Sequence, residues 1–235
     1  MTAGEPSTTA DGPFDAIADL VSEELAADAS GHDLRHAWRV FRLARRLAAA
    51  EGGDPEIVGA AALTHDLHRV RGADDEYVDP AATIPTVREI LRSVDFPAEK
   101  IEAVCHCVAV HDEYGFDGEP SATETIEAEI LQDADNLDAI GAVGIARTFK
   151  YAGANDQPMW LPAVEVDADA VADSVYRPDG SDSDTAGTSV GHFHEKLLRL
   201  KDDMNTDTAH EIAVERHRFM ETFLDRFKRE WQGEA

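Results

Sequence analysis

Hydrophobic residues recur at helical spacing along most of this chain. One segment places His36, Val40, Leu43 and Leu47 on a single face, and Gly52 follows it as a helix terminator. No segment alternates apolar and polar residues over five or more positions, as a half-buried strand would. The pattern therefore predicts an all-α fold. The predicted helices lie at 14–28, from His36 to Gly52, from Pro55 onward, near 81–94, 97–111 and 123–150, and at about 208–231.

The last predicted helix has the most regular apolar stripe of the chain. Its members share one face at helical spacing: Ile212, Arg216, Phe219, Met220, Phe223 and Phe227. Two stretches interrupt the helical pattern, a short Gly/Pro/acidic loop at 112–122 and an irregular insertion at 153–191. A connection as long as the second is either functional, such as a lid over a site, or a flexible surface segment.

The length of 235 residues and the 43% hydrophobic content indicate one domain with a sizeable core. We expect a flexible N-terminus at 1–12 and a single domain at 13–235. Its central part spans about 30–150, and its C-terminal helices span about 192–232. No apolar run approaches the roughly 18 residues that cross a bilayer, and the first residues lack the features of a signal peptide. We therefore expect a soluble, cytoplasmic protein without a membrane partner.

The charge of the chain is strongly negative, with 21 Lys and Arg against 48 Asp and Glu and a formal net charge of −27. A field of this sign repels a phosphate backbone, which argues against nucleic acid as a partner. Only five of the cations are lysines. Acidity spread along the chain with little lysine indicates a halophilic protein, although an ordinary acidic protein is the alternative.

Two short motifs resemble metal sites but are better explained without a metal. Cys105 and Cys107 bracket His106, and side chains two residues apart on a helix point in different directions. We expect both cysteines to be small buried residues. His192 and His194 lie in a polar segment, where such a pair is more often incidental.

Three other features lie far apart in sequence, and only in combination do they predict a metal site. They are His36, the pair His65-Asp66, and the acidic segment at 133–138. Each has a structural explanation when it is taken singly, as a hydrogen-bonded core histidine or a solvated acidic surface. Together they supply two imidazoles and carboxylates, a ligand set that suits a divalent transition metal. Open coordination positions on such an ion would support hydrolysis.

The order His…His-Asp…Asp, with its flanking text, resembles the HD-domain metal-dependent phosphohydrolase superfamily. The resemblance covers GHDLRHAWRV, AALTHDLH, ILQDADNLDAIGAVGIARTF and the ERHRFMETFLDRF tail, and it is closest to small bacterial and archaeal HD hydrolases. It implies one divalent metal ion (Mn, Fe, Co, Ni, Zn or Mg) and no organic cofactor. The implied ligands are His36, His65, Asp66 and Asp135. Asp133 would support them at most, and for Asp138 a structural role is favoured over orienting a ligand.

Catalytic roles fall on Asp66, His106 and His111. Asp66 lies next to the metal, where it can orient water or transfer a proton. Binuclear members of the superfamily recruit histidines from the central helices, the region of His106 and His111. On a regular helix these two lie about 140° apart, so both cannot face one ion unless the helix ends before His111. His111 is the better candidate to contact substrate phosphate or a second ion, and for His106 packing and direct function stay open.

The resemblance implies hydrolysis of a phosphate ester or phosphoanhydride in a small phosphorylated substrate, a nucleotide. Pyrophosphohydrolysis of nucleoside triphosphates is the activity to expect first. One alternative is a phosphodiesterase, or a hydrolase of alarmone-type nucleotides, with a binuclear centre. Another is a metal-binding sensor without turnover.

The charge of the chain gives a first prediction. We expect a lower melting temperature in low salt than in high salt, because self-repulsion from the net charge of −27 is then unscreened. Thermal unfolding over a salt series measures it. A melting temperature that does not change with salt would contradict the halophilic interpretation.

Overall fold

The structure, a computed structural model, describes residues 12–24, 33–70, 78–113, 123–162 and 187–234. Within these ranges the chain forms α-helices joined by short 3-10 and π-helical turns, with no β-strand, which confirms the predicted all-α fold. The helices are α1 Pro13–Glu24, α2 Leu34–Glu51, α3 Pro55–Thr64, α4 Ile84–Ser93, α5 Ile101–Val110, α6 Ile126–Ala139, α7 Gly141–Ala154, the short α8 Ser189–His192 and α9 Asp207–Trp231.

Helix α3 lies at the centre of the core. Residues 57–64 are all buried, and α3 packs against α1, α2, α5 and α6. The small side chains of residues 59–62 allow these neighbours to approach closely. Beyond Thr64 the helix tightens into the 3-10 turn His65–Val70, so the His65-Asp66 pair emerges from the most constrained helix of the fold.

Capping residues fix where α2 begins and ends. The carboxylate of Asp33 accepts a hydrogen bond from the backbone N–H of His36 at 3.1 Å, which caps the N-terminus of the helix. At the other end Gly52 adopts a left-handed conformation (φ 90°), and its N–H donates to the carbonyl of Ala48 at 2.9 Å. The predicted end at Gly52 is confirmed. His36 therefore lies in the first turn of a well-anchored helix.

The prediction of one helix at 123–150 is wrong, because the chain breaks between α6 and α7. Ile140 is extended, and Gly141 has a left-handed φ of 77°. A Cβ at Gly141 would lie 3.0 to 3.2 Å from side-chain carbons of Arg216, so both conformation and space favour glycine. The guanidinium of Arg216 also donates to the carbonyl of Leu137 near the end of α6. This bend redirects α7 relative to α6.

The apolar stripe predicted for the last helix is only partly correct. The buried residues of α9 are Ala209, Ala213, Met220 and Leu224, whereas Phe219 is 54% exposed. The small side chains of Ala209 and Ala213 let α9 lie close to its neighbours. The face of α9 that is buried therefore differs slightly from the face that carries the phenylalanines.

Other predictions concern the connections and small residues. Cys105 and Cys107 are buried, as expected. The predicted flexible N-terminus at 1–12, the loop at 112–122 and the insertion at 153–191 lie largely outside the described residues, so the lid stays a prediction. None of the described helices combines the length and hydrophobicity needed to cross a lipid bilayer.

Close packing around α3 gives a second prediction. A Cβ at Gly59 would lie 2.8 Å from Cε1 of Phe14 and 2.9 Å from Cε2 of Phe41. The two rings already pack edge to face, with their centroids 5.0 Å apart, so neither ring can move away easily. We expect Gly59→Ala to lower the free energy of unfolding by about 1–3 kcal/mol, measured by urea unfolding.

Gly153→Ala is the matched control, because nothing lies within 4 Å of a Cβ at this position of α7. Alanine has the higher helix propensity, so we expect this variant to be unchanged or stabilised by up to about 1 kcal/mol. Equal stability of the two variants would contradict the tight packing proposed for α3.

Candidate metal centre

Four polar side chains from three parts of the fold converge in the interior. His36 comes from α2, His65 and Asp66 follow α3, and Asp135 comes from α6. The Nε2 atom of His36 lies 3.2 Å from Nε2 of His65, 3.2 Å from Oδ2 of Asp66 and 3.2 Å from Oδ1 of Asp135. Nε2 of His65 lies 3.5 Å from the Asp66 oxygen and 3.7 Å from the Asp135 oxygen. These are the four residues that the resemblance implies as ligands.

The spacing of these atoms suits one divalent cation. Nitrogen and oxygen ligands lie about 2.0–2.2 Å from an ion such as Zn²⁺, which puts neighbouring ligand atoms roughly 3.0–3.6 Å apart. The side chains of His36 and His65 are fully buried, and that of Asp66 is 3% exposed. Buried groups of this kind are stabilised by a cation because water cannot reach them.

The tautomers of the two histidines follow from their other ring nitrogens. Nδ1 of His36 lies 2.8 Å from Oδ2 of Asp138, and Nδ1 of His65 lies 2.9 Å from the carbonyl of Ala62. The carboxylate and the carbonyl are acceptors, so Nδ1 carries the proton in a neutral ring and Nε2 presents a lone pair. Nη1 of Arg147 also lies 3.2 Å from Nδ1 of His36, but it donates to Asp138 over the shorter distance of 2.8 Å. Two lone pairs and two carboxylates therefore face one another, as metal ligands do.

A proton competes with a cation for this centre. Burial opposes protonation of His36, but hydrogen bonds to Asp135, Asp138 and Asp66 outweigh it and raise the pKa of His36 well above its ordinary value. Burial likewise opposes ionisation of Asp135, yet bonds from His36 and His65 hold its pKa well below the usual range. The carboxylate of Asp135 thus remains charged and attracts whichever positive species is present.

Asp138 lies behind His36 and is held by two arginines. Arg39 donates from Nε to Oδ1 at 2.7 Å and from Nη2 to Oδ2 at 2.9 Å, and Arg147 donates to Oδ2 at 2.8 Å. Burial opposes ionisation of Asp138, but the bonds from His36 and Arg39 outweigh it and lower its pKa. The sequence analysis favours a structural role for Asp138. The sequence does not predict its contact with Arg147, because the two residues are nine positions apart.

A second pair of buried histidines adjoins the four residues. Nδ1 of His68 bonds to the carbonyl of His65 at 3.1 Å, and Nδ1 of His111 bonds to that of Val108 at 2.7 Å. Their Nε2 atoms have no hydrogen-bond partner within the described part of the chain. Burial is the main cause that lowers the pKa of each ring to about 4, so both are neutral near pH 7. With Asp66 they form a further group whose ligand atoms lie within 4.8 Å of one another.

The two central histidines lie in different surroundings. Helix α5 ends at Val110, which frees His111 from the helical register, and its ring meets that of His65 at 5.0 Å. Nε2 of His106 instead bonds to the carbonyl of Thr123 at 2.8 Å. A catalytic role for either residue stays a prediction, and this contact gives His106 a structural function.

Asp133 also lies apart from the four converging residues. Its carboxylate accepts hydrogen bonds from the backbone N–H groups of Asn205 and Thr206 at 2.8 Å and from Oγ1 of Thr206 at 2.7 Å. It therefore ties α6 to the start of α9. Among the described residues, His192, His194 and the cysteines belong to no group able to hold a metal ion.

Comparisons with known proteins agree with this geometry. The sequence profile of the HD domain matches residues 33–140, a range that contains all four converging residues. The uncharacterized protein YpgQ of Bacillus subtilis is 36% identical over 216 residues, which cover 91% of each chain. The chain belongs to the HD-domain phosphohydrolase family. This confirms the resemblance drawn from the sequence.

Two solved structures of relatives are similar to this fold over most of its length. An HD-superfamily hydrolase of Bacillus thuringiensis is 35% identical, with a TM-score of 0.66 and coverage of 93% of this chain and 96% of that one. YpgQ in complex with ADP is 33% identical, with a TM-score of 0.67 and coverage of 93% and 94%. As an HD-domain protein this chain is a hydrolase, and its His/Asp cluster suits a divalent metal ion.

Competition between proton and cation gives a third prediction. We expect the affinity for Mn²⁺ to fall as the pH falls, because a proton on Nε2 of His36 blocks the lone pair. The raised pKa of His36 makes the loss begin at a higher pH than for an ordinary histidine. Each displaced proton weakens binding by about tenfold per pH unit. Titration of Mn²⁺ followed by electron paramagnetic resonance measures this, and a pH-independent affinity would contradict it.

Proposed function

We propose that this protein hydrolyses a phosphoanhydride or phosphate ester of a nucleotide, using water activated by a divalent metal ion. The proposed ligands are His36, His65, Asp66 and Asp135. The observation that supports this most directly is the convergence of three ligand atoms at 3.2 Å from Nε2 of His36, among side chains of which only that of Asp135, at 16% exposure, is appreciably open to solvent. Without a cation, a proton on Nε2 of His36 would have to lie between these acceptors, which agrees with the raised pKa of His36.

Held by His36, His65, Asp66 and Asp135, a divalent cation would lower the pKa of bound water and would stabilise charge on phosphoryl oxygens. The two carboxylate oxygens of Asp66 face different groups. Oδ2 faces His36 at 3.2 Å, and Oδ1 lies 3.5 Å from Nε of Arg69. We propose that Asp66 also orients the attacking water, while its contact with Arg69 restrains the carboxylate.

His111 is proposed to accept a hydrogen bond from that water. Its Nδ1 proton is directed at the carbonyl of Val108, so the free Nε2 atom is an acceptor. A phosphate oxygen is an acceptor as well, and a neutral ring with a pKa of about 4 has no second proton to donate. This argues for water as the partner of His111 in place of the substrate phosphate that the sequence suggested. His106 has no proposed part in the reaction, because its ring is bonded to Thr123.

The nucleotide part of the proposal is supported by the relative YpgQ, whose crystal structure contains ADP. That protein and this chain align over more than nine-tenths of both lengths. Nucleoside triphosphates are the first substrates to test. In the proposed pyrophosphohydrolysis, water adds to the α-phosphorus, the bond from that phosphorus to the bridging oxygen breaks, and a nucleoside monophosphate and pyrophosphate are released.

The fourth prediction tests the centre directly. We expect purified protein to hold about one transition-metal ion per chain and to release pyrophosphate from at least one nucleoside triphosphate. His65→Ala and Asp66→Ala should each lose metal and activity while keeping most of their helix content, because each removes a ligand without disturbing α2 or α6. Elemental analysis, a pyrophosphate assay and circular dichroism measure these three properties.

His210→Ala and Asp19→Ala are matched controls, since they remove the same side-chain types from exposed positions on α9 and α1. Both should keep metal and activity. Full activity in His65→Ala or Asp66→Ala would discard the proposed centre. Metal binding without turnover on a broad panel of phosphorylated substrates would favour the sensor.

A binuclear phosphodiesterase or alarmone hydrolase is the second candidate. The observation that favours it is the adjoining group of Asp66, His68 and His111, which offers two further imidazole lone pairs. The same elemental analysis separates the candidates. About two ions per chain, reduced to one in His111→Ala, would place phosphodiesters first.

A further inference from the structure

Four histidines are buried in the described part of the chain, and one of them is oriented by a side chain and not by the backbone. His65, His68 and His111 each direct Nδ1 at a backbone carbonyl three residues earlier. Nδ1 of His36 is directed at the carboxylate of Asp138, 102 residues later in the chain, at 2.8 Å. A carbonyl is present whatever the sequence, whereas this carboxylate depends on one residue. Nη1 of Arg147 lies 3.2 Å from the same nitrogen. Because this group is a donor, a substitution that removes the Asp138 carboxylate leaves Nδ1 facing a donor, which favours a proton on Nε2.

The ring of His36 lies between carboxylates on two sides. Oδ2 of Asp66 and Oδ1 of Asp135 both lie 3.2 Å from Nε2, and Asp138 lies on the Nδ1 side. A neutral imidazole carries one proton, which these groups compete to accept. A proton on Nε2 removes the lone pair that a metal ion needs. A proton on Nδ1 leaves that lone pair available.

Arg39 and Arg147 hold the carboxylate of Asp138 next to Nδ1 of His36, where it can accept the proton of the ring. Arg39 lies one turn after His36 on α2 and binds both oxygens of Asp138, and Arg147 reaches the same carboxylate from α7. These bonds restrain the carboxylate from α2 and from α7, so it cannot turn away from His36. Planar bidentate pairing of this kind fixes direction as well as distance.

We propose that Asp138, held by Arg39 and Arg147, positions His36 for metal binding by accepting its Nδ1 proton. This rests on the proposed function, because it assigns Asp138 a role only if His36 is a metal ligand. Asp138 touches neither substrate nor metal and acts through the histidine.

The test compares two buried aspartates of the same helix. Asp138→Ala should weaken Mn²⁺ binding by about 10–100-fold, the usual range for a group that orients a ligand histidine. Asp133→Ala is the control, because Asp133 is equally buried on α6 but bonds only to the start of α9. The control should lower the melting temperature and leave the Mn²⁺ affinity of the folded protein unchanged. Electron paramagnetic resonance of free Mn²⁺ and thermal unfolding provide the two measurements.

In Asp138→Ala, Arg39 and Arg147 lose their shared partner, and the variant could fail to fold for that reason alone. Asp138→Asn is therefore the second variant of the test. The carboxamide oxygen still accepts the Nδ1 proton but carries no charge, so we expect a loss of about tenfold, at the low end of the range. Asp133→Asn should again lose none. In wild-type protein loaded with Zn²⁺ and labelled with ¹⁵N-histidine, the Nδ1 proton of His36 should give a protected signal, and it should exchange faster in Asp138→Asn.

The possible failures are distinguishable. Wild-type Mn²⁺ affinity in both Asp138 variants would overturn this inference and leave the proposed function intact. Equal losses of affinity in the Asp133 and Asp138 variants would overturn it too, since a general loss of packing would then explain both. Absence of metal binding in the wild-type protein would overturn the proposed function and this inference with it.

Discussion

Bringing the carboxylates of Asp66 and Asp135 within 4 Å of the Nε2 atoms of His36 and His65 inside a protein is unfavourable unless a cation or a proton lies among them. His36 and His65 are fully buried, so solvent does not screen these groups. The surrounding helices must therefore supply the energy that holds the centre together. Helix α3, buried along residues 57–64 and packed through small side chains, provides the tight contact that this requires.

Backbone carbonyls orient the rings of His65, His68 and His111. His65 and His68 belong to a single 3-10 turn, and His111 lies just after the end of α5. In all three the nearest acceptor for Nδ1 is the carbonyl three residues earlier, so local chain geometry selects the tautomer. His36 lies in the first turn of α2, where the carbonyl three residues earlier, that of Asp33, already accepts from its own backbone N–H. Its ring therefore depends on a distant carboxylate.

The sequence predicted much of the fold and the four converging residues, but not how Asp138 is used. Spacing and resemblance identify His36, His65, Asp66 and Asp135 because helices of roughly the right bounds bring them together. In one continuous helix Arg147, nine residues after Asp138, would lie about 180° around the axis and about 13 Å along it. The bend at Gly141 instead brings the two side chains to 2.8 Å. A bend set by contacts with Arg216 on α9 is a tertiary effect that helical periodicity does not contain.

The charges around the centre differ from those of the whole chain. The carboxylates of Asp66, Asp135 and Asp138 are matched in number by the guanidinium groups of Arg39, Arg69 and Arg147. A fourth carboxylate, that of Asp112, lies 4.0 Å from Nε2 of His68, so these groups together carry one negative charge more than positive. A divalent cation would reverse that sign locally, within a chain of formal net charge −27. The proposed phosphorylated substrate would respond to this local field, which would favour both its approach and the charge that develops on its phosphoryl oxygens.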